Sequence, residues 1–201
     1  MVFPLPGVPA IMVGRSENLG WALTSSYLDD QDIFIEKLNP ENNEEYQAPD
    51  GWKRFETRRT IITVADADPV TITLRWSDNG PILPGSHYDL GTITPDGHVA
   101  ALSWTALSAS DTTMTAALDL MRSMSIDEAL GAGKQFVAPS QNLTLADADG
   151  IAMQLIGAMP LRDGAHQSQG RIPSPGWIAA NRWQGTFPYD ANLRVESPTS
   201  G

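Results

Sequence analysis

The chain has 201 residues, a hydrophobic fraction of 41% and no cysteine. That is enough apolar material for a buried core, and it excludes disulfide scaffolds, thiolate metal sites and cysteine nucleophiles. Thirteen Lys and Arg against twenty-four Asp and Glu give a formal charge of −11, which repels phosphate backbones and anionic lipid, so neither nucleic acid nor a membrane surface is an expected partner.

Strand patterns dominate the chain. Ala10–Val13 and Leu19–Thr24 are short apolar runs joined by a polar turn at Arg15–Asn18. Most of the acids that follow (Asp29, Asp30, Asp32, Glu36, Glu41, Glu44, Glu45 and Asp50) read as a solvated face, with a cation site as the lesser reading. Arg59–Val64 and Val70–Trp76 predict a hairpin across Ala65–Pro69, with Val70, Ile72, Leu74 and Trp76 alternating onto one face. His98–Trp104 is a further strand after the turn Pro95-Asp-Gly97. Helix is expected in the middle, from about Asp111 to Phe136. Asp111 caps a first helix whose Met114, Ala117, Leu118 and Met121 recur at helical spacing as core positions. Ser125-Ile-Asp-Glu128 is a capping box for a second, through Leu130 or beyond, weakened by Gly131 and Gly133 and ended by Pro139. Leu143–Ala146 and Ile151–Ala158 predict another hairpin across Asp147-Ala-Asp-Gly150. The rest, from Asp163 on, is loop-rich. No repeat or internal boundary interrupts the pattern, so a single domain over 1–201 is expected, and no apolar run approaches the roughly 20 residues of a membrane span.

The chemistry is carried by few residues. Nucleophile elbow, phosphate loop, dinucleotide fingerprint and zinc-helix motifs are all absent. His87, His98 and His166 are isolated and read as surface or turn residues. Asp147-x-Asp149-Gly150 lacks the twelfth-position Glu of a calcium loop, so it reads as a tight turn. Asn142 remains: a carboxamide at the head of an apolar strand, able to donate hydrogen bonds toward a developing oxyanion while a hairpin holds it still.

Several stretches in order resemble the penicillin acylase family, which includes the acyl-homoserine-lactone acylases. They are Gly7-Val-Pro-Ala-Ile-Met-Val-Gly14-Arg15, Trp21-Ala-Leu-Thr24 and Asp29-Asp-Gln-Asp32-Ile-Phe-Ile-Glu36. Asn79-Gly-Pro81, Ala101–Trp104, Pro139-Ser-Gln-Asn142, Gly157–Arg162, Pro173 through Gly185 and the closing Ser197-Pro-Thr-Ser-Gly201 continue it, so it covers essentially the whole chain. The chain departs from the family's usual pattern at Asn79, where a His often precedes Gly-Pro, and at Ser16, where an Asn often follows Gly-Arg.

The resemblance implies an α+β fold: part of the four-layer αββα sandwich of an N-terminal-nucleophile hydrolase, mostly antiparallel β with a short helical insertion. It implies an amide hydrolase matured from a precursor, periplasmic or extracellular, whose β-chain N-terminal serine attacks the amide carbonyl with its own α-amine as base. Met1-Val2 supplies no such serine, so the chain reads as an internal β-chain segment, inactive alone. It would be completed by the remaining α- and β-chain segments, and open to self-association where sheet edges are bare. By the same carry-over, Asn142 is the oxyanion-hole carboxamide, the Ser25 N–H is the second donor, and Arg162 supports the site electrostatically. Val13, Leu23, Tyr27 and Ile82 line an apolar acyl pocket for a small-molecule amide substrate. Asp29, Asp32 and the Gln31 carbonyl match a structural Ca2+ site that some members possess. The competing reading is a non-catalytic, β-rich carbohydrate- or calcium-binding module with Trp52, Trp76, Trp104, Trp177 and Trp183 as a stacking platform.

Overall fold

The structure is a computed structural model and describes residues 3–4 and 7–197. In chain order the strands begin with β1 (Phe3–Pro4), β2 (Ile11–Arg15), β3 (Gly20–Ser25), β4 (Gln31–Asn39) and β5 (Asn42–Ala48). They continue with β6 (Gly51–Arg54), β7 (Glu56–Ile62), β8 (Val70–Ser77), β9 (Gly80–Leu83) and β10 (His98–Trp104). Two helices follow, α1 (Thr113–Arg122) and α2 (Ile126–Gly133), then β11 (Gln141–Ala146) and β12 (Ile151–Ile156). Short strands finish the chain: β13 (Pro160–Arg162), β14 (Ser174–Pro175), β15 (Trp183–Thr186) and β16 (Arg194–Glu196).

The chain divides into two compact units. The first takes the segments up to Asp30, Thr105–Leu161 and from Gly185 on; the second takes Gln31–Trp104 and Arg162–Gln184. Each unit is discontinuous in sequence and has its own sheet. The chain passes from one to the other four times without a linker, so no composition shift marks the boundary.

The first unit holds a six-stranded antiparallel sheet in the order β1-β2-β3-β11-β12-β16. Side chains alternate across β11, so Leu143 and Leu145 are buried to 1% exposure, while Asn142 and Thr144 stand on the opposite face. Both helices pack on the leucine face through Ala116, Leu120, Ala129 and Leu130, against Trp21, Leu143, Leu145 and Ile156. Full burial of each leucine contributes about 1.5–3 kcal/mol.

The capping box of α2 forms: Ser125 Oγ accepts the Glu128 N–H at 3.3 Å, and Glu128 Oε2 reaches back to the Met124 N–H at 2.8 Å. Asp147 Oδ2 adds a bond from the Ile126 N–H at 3.1 Å, while Oδ1 closes the β11–β12 turn onto the Asp149 and Gly150 N–H groups. The helix runs on through Gly133, where a Cβ would lie 2.7 Å from Tyr189 Oη and 3.0 Å from Ile156 Cγ2. That glycine is a packing requirement.

The face of α1 keeps the expected Ala117, with Met121 packed against the core, and departs from expectation at Met114. Thr113, Ala116, Ala117 and Leu120 are buried, whereas Met114 is 44% exposed. Small residues let the helix approach closely, and Thr113 Oγ1 accepts both the Val137 and Ala138 N–H groups, which fixes the rotation.

The second unit holds a sheet in the order β6-β5-β4-β10-β9-β8-β7, antiparallel throughout, with β14 beside β4 in parallel. Tyr46 and Phe55 stack with centroids 4.8 Å apart, and Leu38, Ile82 and Val99 pack around them. The hairpin β7–β8 forms in the register Ile62↔Val70 to Glu56↔Trp76, and its apolar face is open, with Val70, Leu74 and Ile62 exposed.

Of the acidic stretch, Asp29, Glu41, Glu44 and Asp50 are exposed, as a solvated face requires, and three acids depart from it. Asp30, Asp32 and Glu36 are buried, the last two on β4, a central strand flanked by β10 on one side and by β5 and β14 on the other.

Candidate functional site

Asn142 and Thr24 are directly opposed across the β3–β11 ladder, and Gln141 opposes Ser25. The Asn142 carboxamide crosses this ladder. Its Nδ2 lies 3.4 Å from Thr24 Oγ1 and 3.4 Å from the Ser25 carbonyl oxygen. Both contacts are long, so the amide N–H groups keep most of their donor strength for another acceptor. The Ser26 N–H donates to the Ser140 carbonyl at 3.4 Å. Neighbouring residues of an antiparallel ladder alternate between facing the partner strand and turning from it, so the Ser25 N–H is turned out of the β11 ladder. Ser140 Oγ also accepts the Leu28 N–H at 3.3 Å, which ties the segment after β3 to the start of β11.

The Asn142 carboxamide thus meets the Ser25 carbonyl oxygen, 117 residues away in sequence, at one end of one strand pair. Neither a carboxamide nor a peptide N–H exchanges protons near neutrality, so the pair can stabilise negative charge but cannot act as acid or base.

Arg162 lies in the second unit. Its Nε donates to Asp32 Oδ2 and its Nη2 to Asp32 Oδ1, both at 2.9 Å, a bidentate fork. Trp183 Nε1 donates to Asp32 Oδ2 as well. The side chains of Arg162 and Asp32 are 9% and 3% exposed. Gly170, with φ +77°, passes so near that a Cβ would sit 2.5 Å from Asp32 Oδ1 and 2.7 Å from Arg162 Cζ.

Of the residues expected at the acyl pocket, Val13, Leu23 and Tyr27 belong to the first unit and Ile82 to the second. Leu23 packs on the core of the first unit and Ile82 on that of the second. Val13 is 37% exposed, and Tyr27, held at φ +53° just after β3, is 93% exposed. A positive φ turns the Tyr27 ring away from the direction that strand alternation gives its neighbours.

The residues expected at a calcium site do not fit that ion. Both oxygens of Asp32 are engaged by a guanidinium and an indole, and Gln31 is ladder backbone opposite Trp104. Asp29 is exposed. Among the described residues, no group of three or more His, Asp or Glu is placed to hold a metal ion.

A buried cluster in the second unit has no counterpart in the expected set. Glu36, at 0% exposure, accepts at Oε1 from Ser77 Oγ at 2.6 Å and from Asn79 Nδ2 at 2.8 Å. Burial pushes its carboxyl above the usual range, against the lowering pull of those two bonds. This gives Asn79, one of the departures from the family pattern, a structural task. His166, expected at the surface, is 5% exposed, and its Nδ1 accepts the Ser168 and Gln169 N–H groups at 3.2 and 3.0 Å. Trp183, Gly170, Ser77 and Asn79 were invisible as site partners because they meet Asp32 or Glu36 only through the tertiary fold.

The penicillin amidase family profile matches residues 3–201. The chain belongs to the penicillin amidase family. It is 31% identical over 192 residues to the acyl-homoserine lactone acylase QuiP of Pseudomonas fluorescens, covering 92% of this chain and 23% of that protein. It is 28% identical over 195 residues to penicillin G acylase of Escherichia coli, covering 96% of this chain and 22% of that protein. The chain thus spans less than a quarter of these relatives. The solved thermostable penicillin G acylase of Alcaligenes faecalis superposes with a TM-score of 0.83 over 97% of this chain and 34% of that one, at 22% identity. The α+β fold expected from the sequence is therefore the fold of this penicillin amidase chain.

Proposed function

We propose that these residues are part of an amide hydrolase that removes an acyl group from a small-molecule amide, and that they supply its oxyanion donors. The observation that carries the reading is the meeting of the Asn142 carboxamide with the main chain of Ser25 across β3 and β11. Two rigid donors aimed at developing charge need no reorganisation during reaction, and each is worth roughly 2.7–4 kcal/mol of transition-state stabilisation. The nucleophile is a serine at the N-terminus of a β chain, outside residues 1–201, whose α-amine, with an ordinary pKa of about 7.7–8.0, takes the hydroxyl proton near neutrality. The serine oxygen adds to the carbonyl carbon, the carbonyl oxygen takes up the negative charge facing Asn142 and Ser25, and the amine leaves with the proton. Water then releases the acyl group by the reverse sequence.

In this reading Arg162 contributes a fixed positive charge, held by Asp32. Val13 and Tyr27, exposed in these residues, are covered by the acyl group and by other segments of the same precursor, and Leu23 packs on the core of the same unit. The relatives' names as acylases support the acyl amide substrate, and the periplasmic or extracellular setting is proposed on the family resemblance alone. The open apolar face of β7–β8 gives the isolated chain a route to self-association.

The experiment is turnover of chromogenic phenylacetyl and fatty-acyl amides by the full-length matured protein and by the 201-residue chain. The expected result is turnover by the first only. Turnover by the short chain, or none by a fully matured parent on any acyl amide, would contradict the proposal. The alternative of a carbohydrate-binding platform has little to recommend it: of its five tryptophans only Trp52 is exposed, Trp183 is bonded to Asp32, and Trp177 lies against His98.

A further inference from the structure

The poor fit of Asp32 to a metal carries a positive statement about this protein. We propose that the Arg162 guanidinium takes the place of a structural cation, so that the second unit folds without calcium and Asp32 acts as the positioning residue for Arg162. This does not rest on the catalytic reading: it concerns what neutralises a buried carboxylate.

Three donors converge on the two oxygens of Asp32, namely Arg162 Nε and Nη2 at 2.9 Å each and Trp183 Nε1. A carboxylate offers about four lone-pair positions, so at most one is left. Calcium needs six to eight oxygens at about 2.3–2.6 Å, and an ion at that distance from either Asp32 oxygen would lie within about 5 Å of the guanidinium. Two positive charges would then compete for one carboxylate in a place with little water to screen them. Gly170 crowds the pair from one side: a Cβ built on it would sit 2.5 Å from Asp32 Oδ1 and 2.7 Å from Arg162 Cζ. The positive φ of +77° at Gly170 is what brings the backbone so close. Burial adds the reason for the arrangement: with 3% of the Asp32 side chain exposed, its charge needs a partner, and the planar two-point fork of Arg162 supplies one with fixed geometry.

The test uses the 201-residue chain after treatment with EGTA. Calcium at a hundredfold excess over the dissociation constant of a real structural site would raise Tm by about 5–10 °C for a protein of this size. The expected result is a change of less than about 1 °C on adding calcium. Terbium gives an independent reading, since Trp183 touches Asp32 and would sensitise emission from an ion bound there. No emission dependent on Trp183 (judged against Trp183→Phe) is expected up to about 1 mM, the weak end of protein calcium sites. Asp32→Asn should lower Tm by about 10 °C, equally in EGTA and in calcium, because it removes the buried negative charge that the Arg162 fork binds at two points. A calcium-induced rise of several degrees, saturable Trp183-dependent terbium emission, or a loss on Asp32→Asn confined to calcium buffer would each overturn the proposal. The two wild-type titrations decide the matter even if Asp32→Asn fails to fold.

Discussion

Replacing Asn142 by alanine in the full-length protein removes a carboxamide and leaves the core intact. The side chain stands on the face of β11 opposite Leu143 and Leu145, and its two contacts, to Thr24 Oγ1 and the Ser25 carbonyl, are both 3.4 Å long. Bonds of that length on a partly exposed residue sit at the low end of the net range, about 0.5 kcal/mol each. Together they amount to about 1 kcal/mol, or about 2–4 °C in Tm. Loss of an oxyanion donor costs about 2.7–4 kcal/mol in the transition state, a factor of about 10²–10³ in kcat. The interaction is made only in the transition state, so kcat and kcat/KM fall together and KM stays near the wild-type value. Initial rates on a chromogenic acyl amide, normalised to matured enzyme, with a melting curve on the same sample, separate the two effects. A kcat within about threefold of wild type in properly matured enzyme would refute the role given to Asn142.

Three other perturbations test the surrounding structure. The raised Glu36 carboxyl means that the folded chain holds a proton the unfolded chain has released; its stabilising contribution is fully present below the usual carboxylate range and is lost as pH rises through the raised value. Glu36→Gln should therefore flatten the pH dependence of Tm above about pH 4.5, and a profile parallel to wild type would contradict the burial argument. Gly80→Ala sets a Cβ 2.0 Å from the Leu102 carbonyl oxygen at φ +123°, and a loss of about 3 kcal/mol or more in denaturant unfolding is expected, with a loss under about 1 kcal/mol counting against the packing shown here. Ser125→Ala removes the acceptor for the Glu128 N–H and should lower stability by about 1 kcal/mol, while Ser125→Asp restores most of it.

The sequence revealed those parts of the fold whose partners are near neighbours. The hairpins β7–β8 and β11–β12 and the capping box of α2 depend on residues within a turn of one another, and each forms as its pattern predicts. The face of α1 departs from its apolar pattern at Met114, because close packing favours the alanines and a threonine that bonds the chain at Val137 and Ala138. The acids of β4 looked like surface because their partners lie far along the chain, Ser77 41 residues from Glu36 and Trp183 151 residues from Asp32. The pairing of Asn142 with Ser25 was legible only through the family resemblance, since spacing alone gives no reason for positions 117 apart to meet. Tyr27 and Val13 show the limit of such transfer: their identities fit an apolar lining, and their exposure shows that these residues alone do not enclose one.

The most direct measurement is a crystal structure of the matured full-length protein carrying a covalent tetrahedral mimic of amide hydrolysis on its nucleophile. The account predicts the mimic's oxyanion at about 2.7–3.1 Å from both Asn142 Nδ2 and the Ser25 peptide nitrogen. An oxygen that takes its hydrogen bonds elsewhere, with neither of these donors within reach, would contradict it.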